Sequence, residues 1–168
     1  MGTSSRTVRV AGRPGTVGVL AQSNFGGVLT ALGVPLPVTD LIPDAARITP
    51  PGNSCMIVVA TDVPVDARQL GRVARRAVFA MARVGASFSS GSGDYAIAFG
   101  TADPGRPAVP DDALDPVFAA VLDAVEEALL NSLFMAVTTI GAGGRTSHAV
   151  PHRAVMRRLS AAGRLAQP

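Results

Sequence analysis

From Arg6 to Ala11 the chain alternates polar and apolar side chains, the period-2 signature of a strand with one buried face. Gly12-Arg13-Pro14-Gly15 predicts a turn and Thr16 to Ala21 a second strand, together a hairpin with a four-residue loop. Gln22 to Gly27 reads as loop, and Val28 to Leu36 as a short strand broken by Gly33 and Pro35. Residues 37 to 53 lack periodicity and read as a loop ending in Pro50-Pro51-Gly52-Asn53. Ser54 to Ala60 is almost wholly apolar, which predicts a strand buried on both faces.

The period then changes to that of a helix. Asp66 is placed to cap it, with Gln69 three residues on as the partner of a capping box. Leu70, Val73, Ala74, Ala77, Val78 and Met81 share one face, and Arg68, Arg72, Arg75, Arg76 and Arg83 read as a solvated face. Gly85 ends this helix. Ser87 to Asp94 reads as a small-residue loop and Tyr95 to Gly100 as a strand. Residues 101 to 112 are a connector. A long helix is predicted from Asp115 as cap and Pro116 as first helical residue to about Val137. Its apolar face runs through Phe118, Val121, Leu122, Val125, Leu129 and Leu133. Gly141 to Gly144 separate it from a last short helix, about Val150 to Ala161. Strands without polar alternation beside amphipathic helices predict an α/β fold with sheets covered by helices.

Composition limits the partners. With 168 residues, 48% hydrophobic and 16% charged, the chain can build one core and is too apolar to be disordered. So few charges imply that much of its surface packs against something else. All 15 basic residues are arginine, spread along the chain apart from the small group on the first predicted helix, and the net charge is +3. One Tyr, six Phe and no Trp offer little to stack on bases, so no nucleic-acid partner is expected. A lone cysteine, Cys55, excludes a disulfide framework and a cysteine-based zinc site. No apolar run is long enough to span a membrane, and no signal-peptide core follows Met1; a cytoplasmic setting is expected. His148 and His152 are separated by Pro151 and lack a nearby carboxylate, so packing or surface roles are expected and no metal or cofactor.

The chemistry centres on Ser54, which opens a strand directly after a turn. Two readings stay open on the residues alone. Ser54 closes an ordinary turn, or the backbone breaks at Asn53–Ser54 and leaves Ser54 as a new N-terminus. In the second case the hydroxyl attacks the Asn53 carbonyl and water cleaves the resulting ester. The freed α-amine, with a pKa of roughly 8, then serves as base for its own hydroxyl. Ser92 and Asp94 lie two apart, so in extended geometry they share a side and can orient an ammonium; the alternatives are a flexible loop and, more weakly because no helix begins there, a phosphate cradle. Asn24 precedes Gly26-Gly27 and its amide can donate to an oxyanion, or it is a plain turn residue.

Taken together, Asn53-Ser54-Cys55-Met56-Ile57-Val58-Val59-Ala60-Thr61-Asp62, Gly91-Ser92-Gly93-Asp94, the stretch Thr16 to Gly27 and the tail around His148-Ala149-Val150-Pro151 resemble the DmpA-type family of self-cleaving serine aminopeptidases. That family includes β-peptidyl aminopeptidases and related amidases. The resemblance implies a four-layer α/β/β/α sandwich with Ser54 as nucleophile and Asn53 as the residue left behind. It implies that Ser92 and Asp94 position the amine and hydroxyl, that Asn24 is the oxyanion amide, and that Cys55 is a small core residue. Residues 1–53 then end the larger subunit region and 54–168 form the smaller one, both parts of a single domain. Members carry a long N-terminal half before the segment matching Thr3 to Arg6. That half supplies strands, part of the pocket and another oxyanion donor, so a missing half or homologous chain is an expected partner, within a homo-oligomer. The implied activity is release of an N-terminal residue from small peptides or amides through a Ser54 acyl-enzyme. Acyl transfer, as in the related ornithine acetyltransferases with their Thr nucleophile, and a non-catalytic fragment are the alternatives.

Overall fold

The computed structural model describes residues 1–42 and 53–165. Strands β1 (Gly2–Val10) and β2 (Arg13–Asn24) form an antiparallel hairpin, in register from Gly2 opposite Ala21 to Val10 opposite Arg13. Its turn is Ala11-Gly12, with φ of 48° and 77°. Two consecutive left-handed residues reverse the chain in the sense that suits twisted strands. The predicted four-residue loop therefore shrinks, and Arg13 and Pro14 join the ladder. The other end lengthens as well, so that Asn24 belongs to the strand rather than to a loop.

Strands β3 (Thr30–Ala31) and β4 (Val34–Pro35) make a small hairpin around Leu32 and Gly33, and α1 (Val38–Leu41) is a single turn. Pro50-Pro51-Gly52 lies outside the described residues. Strand β5 (Asn53–Thr61), helix α2 (Ala67–Ala80) and strand β6 (Ser92–Gly100) form a crossover unit in which β5 and β6 run parallel. Helix α3 (Asp115–Phe134) follows, then a small hairpin of β7 (Thr139–Ile140) and β8 (Thr146–Ser147), then α4 (His152–Ala161). The main sheet has the order β1-β2-β5-β6, and α2 and α3 pack on one of its faces.

The predicted capping box is present: Asp66 accepts from the Gln69 amide at 2.7 Å and the Gln69 side chain accepts from the Asp66 amide at 3.0 Å. Gln69 is itself buried, because its Nε2 also donates to Val109 O and to Asp111, both at 2.8 Å. The arginine face is more engaged than solvation alone implies. Arg76 lies over the Phe118 ring at 3.5 Å, Arg68 makes a two-point contact with Asp111, and Arg83 pairs with Asp123. At α3, Asp115 falls inside the first turn with no side-chain cap, Pro116 occupies that turn as expected, and the helix stops at Phe134 rather than Val137. Among the described residues no helix is long and apolar enough to cross a membrane.

The core fills the space between the sheet and the two helices. Val17, Val19 and Ala21 of β2 and Cys55, Ile57 and Val59 of β5 face Val73, Ala77, Val121, Val125 and Leu129. The expectation that β5 is buried on both faces is corrected here. Its burial alternates, and the opposite face carries Met56 exposed beside Leu20, Tyr95, Ile97 and Phe99. An apolar composition on both sides predicted two covered faces, whereas the helices of this chain cover only one.

The loop after β2 and the loop after α2 interlock through glycines. Val28 donates to Gly85 O at 3.1 Å, Gly85 has φ of 86°, and a Cβ there would sit 1.8 Å from Val28 O. Gly85→Ala is expected to cost about 2–4 kcal/mol, from left-handed strain plus forced separation of the loops, read as a lower denaturant midpoint.

Candidate active site

The five predicted residues meet at one end of the sheet. Asn24 is the last residue of β2 and stands directly opposite Ser54 in the antiparallel β2–β5 register. Ser54 is level with Gly93 in the parallel β5–β6 register, Asn53 with Ser92 and Cys55 with Asp94. Paired residues on neighbouring strands point to the same face. Asn24 and Ser54 therefore project from the open face, and Asn53, Cys55, Ser92 and Asp94 from the face toward the helices.

Ser92 and Asp94 belong to strand β6 and not to the predicted loop. Extended geometry gives them the shared side that their spacing predicts. That side is opposite the one carrying the Ser54 hydroxyl, so they approach the main chain around Ser54 and not its Oγ. Among the described residues, Ser92 Oγ and Asp94 Oδ1 are the buried side-chain atoms with no hydrogen-bond partner. A buried carboxylate oxygen and hydroxyl left unpaired are costly, and at functional sites they mark a place for a donor.

Ser54 Oγ donates to the carbonyl oxygen of Asn53 at 2.6 Å. The hydroxyl is thus already against the peptide group that precedes it. Gly93 leaves room beside it: a Cβ at this position would crowd Ser54 Oγ at 3.3 Å and the Tyr95 ring at 3.2 Å. Asn24 is anchored through its neighbour, because Ser23 Oγ and Ser132 Oγ of α3 are 2.6 Å apart and hydrogen-bonded. A cavity of about 390 Å³ opens beside Asn24, walled by Leu36, Val84, Leu129 and Leu133.

Cys55 is fully buried in the core, next to the candidate nucleophile in sequence but on the other face of the strand. Burial, reinforced by the nearby Asp94, pushes its thiol up from 9.0 to about 11. It is therefore protonated near neutrality. Because the folded state holds this proton more tightly than the unfolded chain, its contribution to stability is complete below about pH 9 and is lost as pH rises toward 11. Folded protein at pH 8 is expected to resist iodoacetamide at Cys55 and to react rapidly in denaturant; labelling at equal rates in both would contradict this burial.

Two residues of the site escaped sequence reasoning. The Asn53 carboxamide donates to Ser89 Oγ at 3.2 Å, and Tyr95 flanks Ser54 across Gly93. The two-residue alternation of β6 would have placed Tyr95 had the strand been started at Ser92. His152 bonds Phe134 O through Nε2 at 2.8 Å and tilts against the Phe134 ring, a packing role. Among the described residues, no group of three His, Cys, Asp or Glu is arranged to hold a metal.

The chain as a whole matches a known family. Residues 1–147 match the model of peptidase family S58, and the chain belongs to that family. It is 38% identical to the β-peptidyl aminopeptidase BapA of Sphingosinicella microcystinivorans, over 96% of this chain and 48% of that protein. Its structure is similar to that of the L-aminopeptidase D-Ala-esterase/amidase of Ochrobactrum anthropi, described as a prototype of the serine aminopeptidases and a variant of the Ntn hydrolase fold. The TM-score is 0.83 and the identity 34%, with 98% of this chain and 48% of the other covered. A Burkholderia sp. β-aminopeptidase gives a TM-score of 0.79 at 30% identity, over 99% of this chain and 50% of the other. The chain thus spans about half the length of the relatives it matches.

Proposed function

We propose that this chain is the nucleophile-bearing half of a self-cleaving serine aminopeptidase or amidase, with Ser54 as nucleophile and Asn53–Ser54 as the bond it cuts in itself. The observation that carries this reading is the 2.6 Å contact of Ser54 Oγ with the Asn53 carbonyl oxygen, at the end of a rigid central strand. In the first step Oγ bonds to the Asn53 carbonyl carbon and the C–N bond breaks. The hydroxyl proton ends on the released nitrogen. Water then hydrolyses the ester, leaving a carboxylate on Asn53 and returning the hydroxyl to Ser54.

The new ammonium lies beside Ser92 and Asp94, whose unpaired oxygens can accept its protons and hold the amine as base for the adjacent hydroxyl. Asn24, level with Ser54 on the same face, donates to the oxyanion of a bound amide. The substrates are small peptides or amides that lose their N-terminal residue. Residues 1–53 end the larger product of scission and 54–168 form the smaller.

The exposed apolar face over β5 and β6 is covered, in this reading, by a second sheet from the half that the relatives carry in addition, giving an α/β/β/α sandwich. The test is intact-mass measurement on protein purified from its native locus, so that whatever covers the sheet accompanies it. Two pieces divided between Asn53 and Ser54 are expected. A single uncut chain in material that hydrolyses an aminoacyl anilide would overturn the proposal.

A further inference from the structure

The residue on the far side of the scissile bond is held in a slot of its own. Asn53 Nδ2 donates to Ser89 Oγ at 3.2 Å, and Gly26 packs against the same group: a Cβ at Gly26 would lie 3.3 Å from Nδ2. Gly26 and Ser89 belong to two different loops, one after β2 and one before β6. These loops are joined to each other independently of Asn53. Ser87 donates from both its amide and its Oγ to Gly26 O, each at 3.0 Å, and Gly27 forms an antiparallel bridge with Ala86. Ser89 is fixed in turn by the Ser92 amide, which donates to Ser89 O at 2.8 Å. Phe88 just before it has φ of 47°, a left-handed conformation uncommon for a bulky residue.

We infer that Ser89 is a positioning residue for self-cleavage, holding the Asn53 carboxamide and through it the carbonyl that Ser54 attacks. This rests on the self-cleavage reading above. Asn53 is the acyl side of the scissile bond, so any rotation of this residue swings its carbonyl away from Ser54 Oγ. Its carboxamide is also a local competitor, because Asn side chains readily bond nearby backbone and favour turn conformations. Bonded to Ser89 and pressed against Gly26, the carboxamide is removed from that competition, and the carbonyl keeps its approach to Oγ. A reacting pair held in an attack geometry reacts faster than one that must search for it. The slot also couples the site's parts. The loop that bears Ser89 leads directly into Ser92 and Asp94, and the loop that bears Gly26 follows Asn24.

The experiment follows newly made protein, purified from its native locus, by time-resolved intact mass. Ser89→Ala is expected to slow appearance of the Ser54 N-terminus about tenfold, the effect of losing one aligned hydrogen bond. Ser89→Thr, which keeps the hydroxyl, is expected to recover most of the rate. In an Asn53→Gly background there is no carboxamide to hold, so adding Ser89→Ala should change the rate by less than about twofold. A wild-type rate in Ser89→Ala, no recovery with Thr, or equal slowing in the Asn53→Gly background would overturn the inference while leaving Ser54-dependent scission intact. Absence of scission in the wild-type protein would overturn both.

Discussion

Ser54→Ala is expected to leave the chain in one piece and to lower amide hydrolysis by about 10⁴-fold or more, the scale seen when a nucleophile is removed. The residue is exposed and its side chain makes a single hydrogen bond, so the substitution should leave the fold and melting temperature nearly unchanged. Loss of scission with an intact fold is therefore a chemical effect. No neighbour can stand in. Cys55 is adjacent in sequence, but strand alternation turns it into the core, where its thiol is raised to about 11. Ser89 bonds the Asn53 carboxamide and Ser92 is level with Asn53 in the ladder, yet neither carries the amine that scission would release on its own residue. Near-wild-type hydrolysis by Ser54→Ala would mean that another group is the nucleophile.

The parts of this site that the sequence discloses are those fixed by local rules. The capping box at Asp66 and Gln69 and the strand after Asn53 depend on short-range geometry, and both are present; Gly85 stops the chain's helical course as well, but as the cap of a 3-10 turn, Met81–Val84, that follows the end of α2 at Ala80. The same period-2 rule gives Ser92 and Asp94 one side. Extent was harder. At the β1–β2 turn Arg13 and Pro14 look like turn residues, while the actual reversal uses Ala11 in a left-handed conformation that alanine seldom adopts. Facing was harder still. Nothing local says that Ser92 and Asp94 lie on the opposite side of the sheet from the Ser54 hydroxyl, because this depends on the parallel register of β5 and β6. The Asn53–Ser89 contact, spanning 36 positions, has no local signature at all.

The open face supplies the other large expected effect. Ile97 is 61% exposed and Tyr95 65%, yet both sit in the ladder next to central strand β5. On β1 the same face carries Thr3, Ser5, Thr7 and Arg9, so the apolar patch is confined to β2, β5 and β6. A covering sheet should accordingly centre over β5 and β6. Ile97→Lys in the isolated chain places a charge on a surface already open to water and should alter stability by no more than about 0.5 kcal/mol. In the assembled protein the same ammonium would be trapped between two sheets without a partner. That penalty is several kcal/mol, so association with the covering half should weaken by about 100-fold or more, and self-cleavage should fail with it. Thr7→Lys, on the polar part of the same face, should be far milder. Sedimentation of purified material separates the cases: loss of the assembly in Ile97→Lys alone supports a second sheet over β5 and β6, whereas an unchanged assembly would mean that this face stays in water and that the sandwich is wrong.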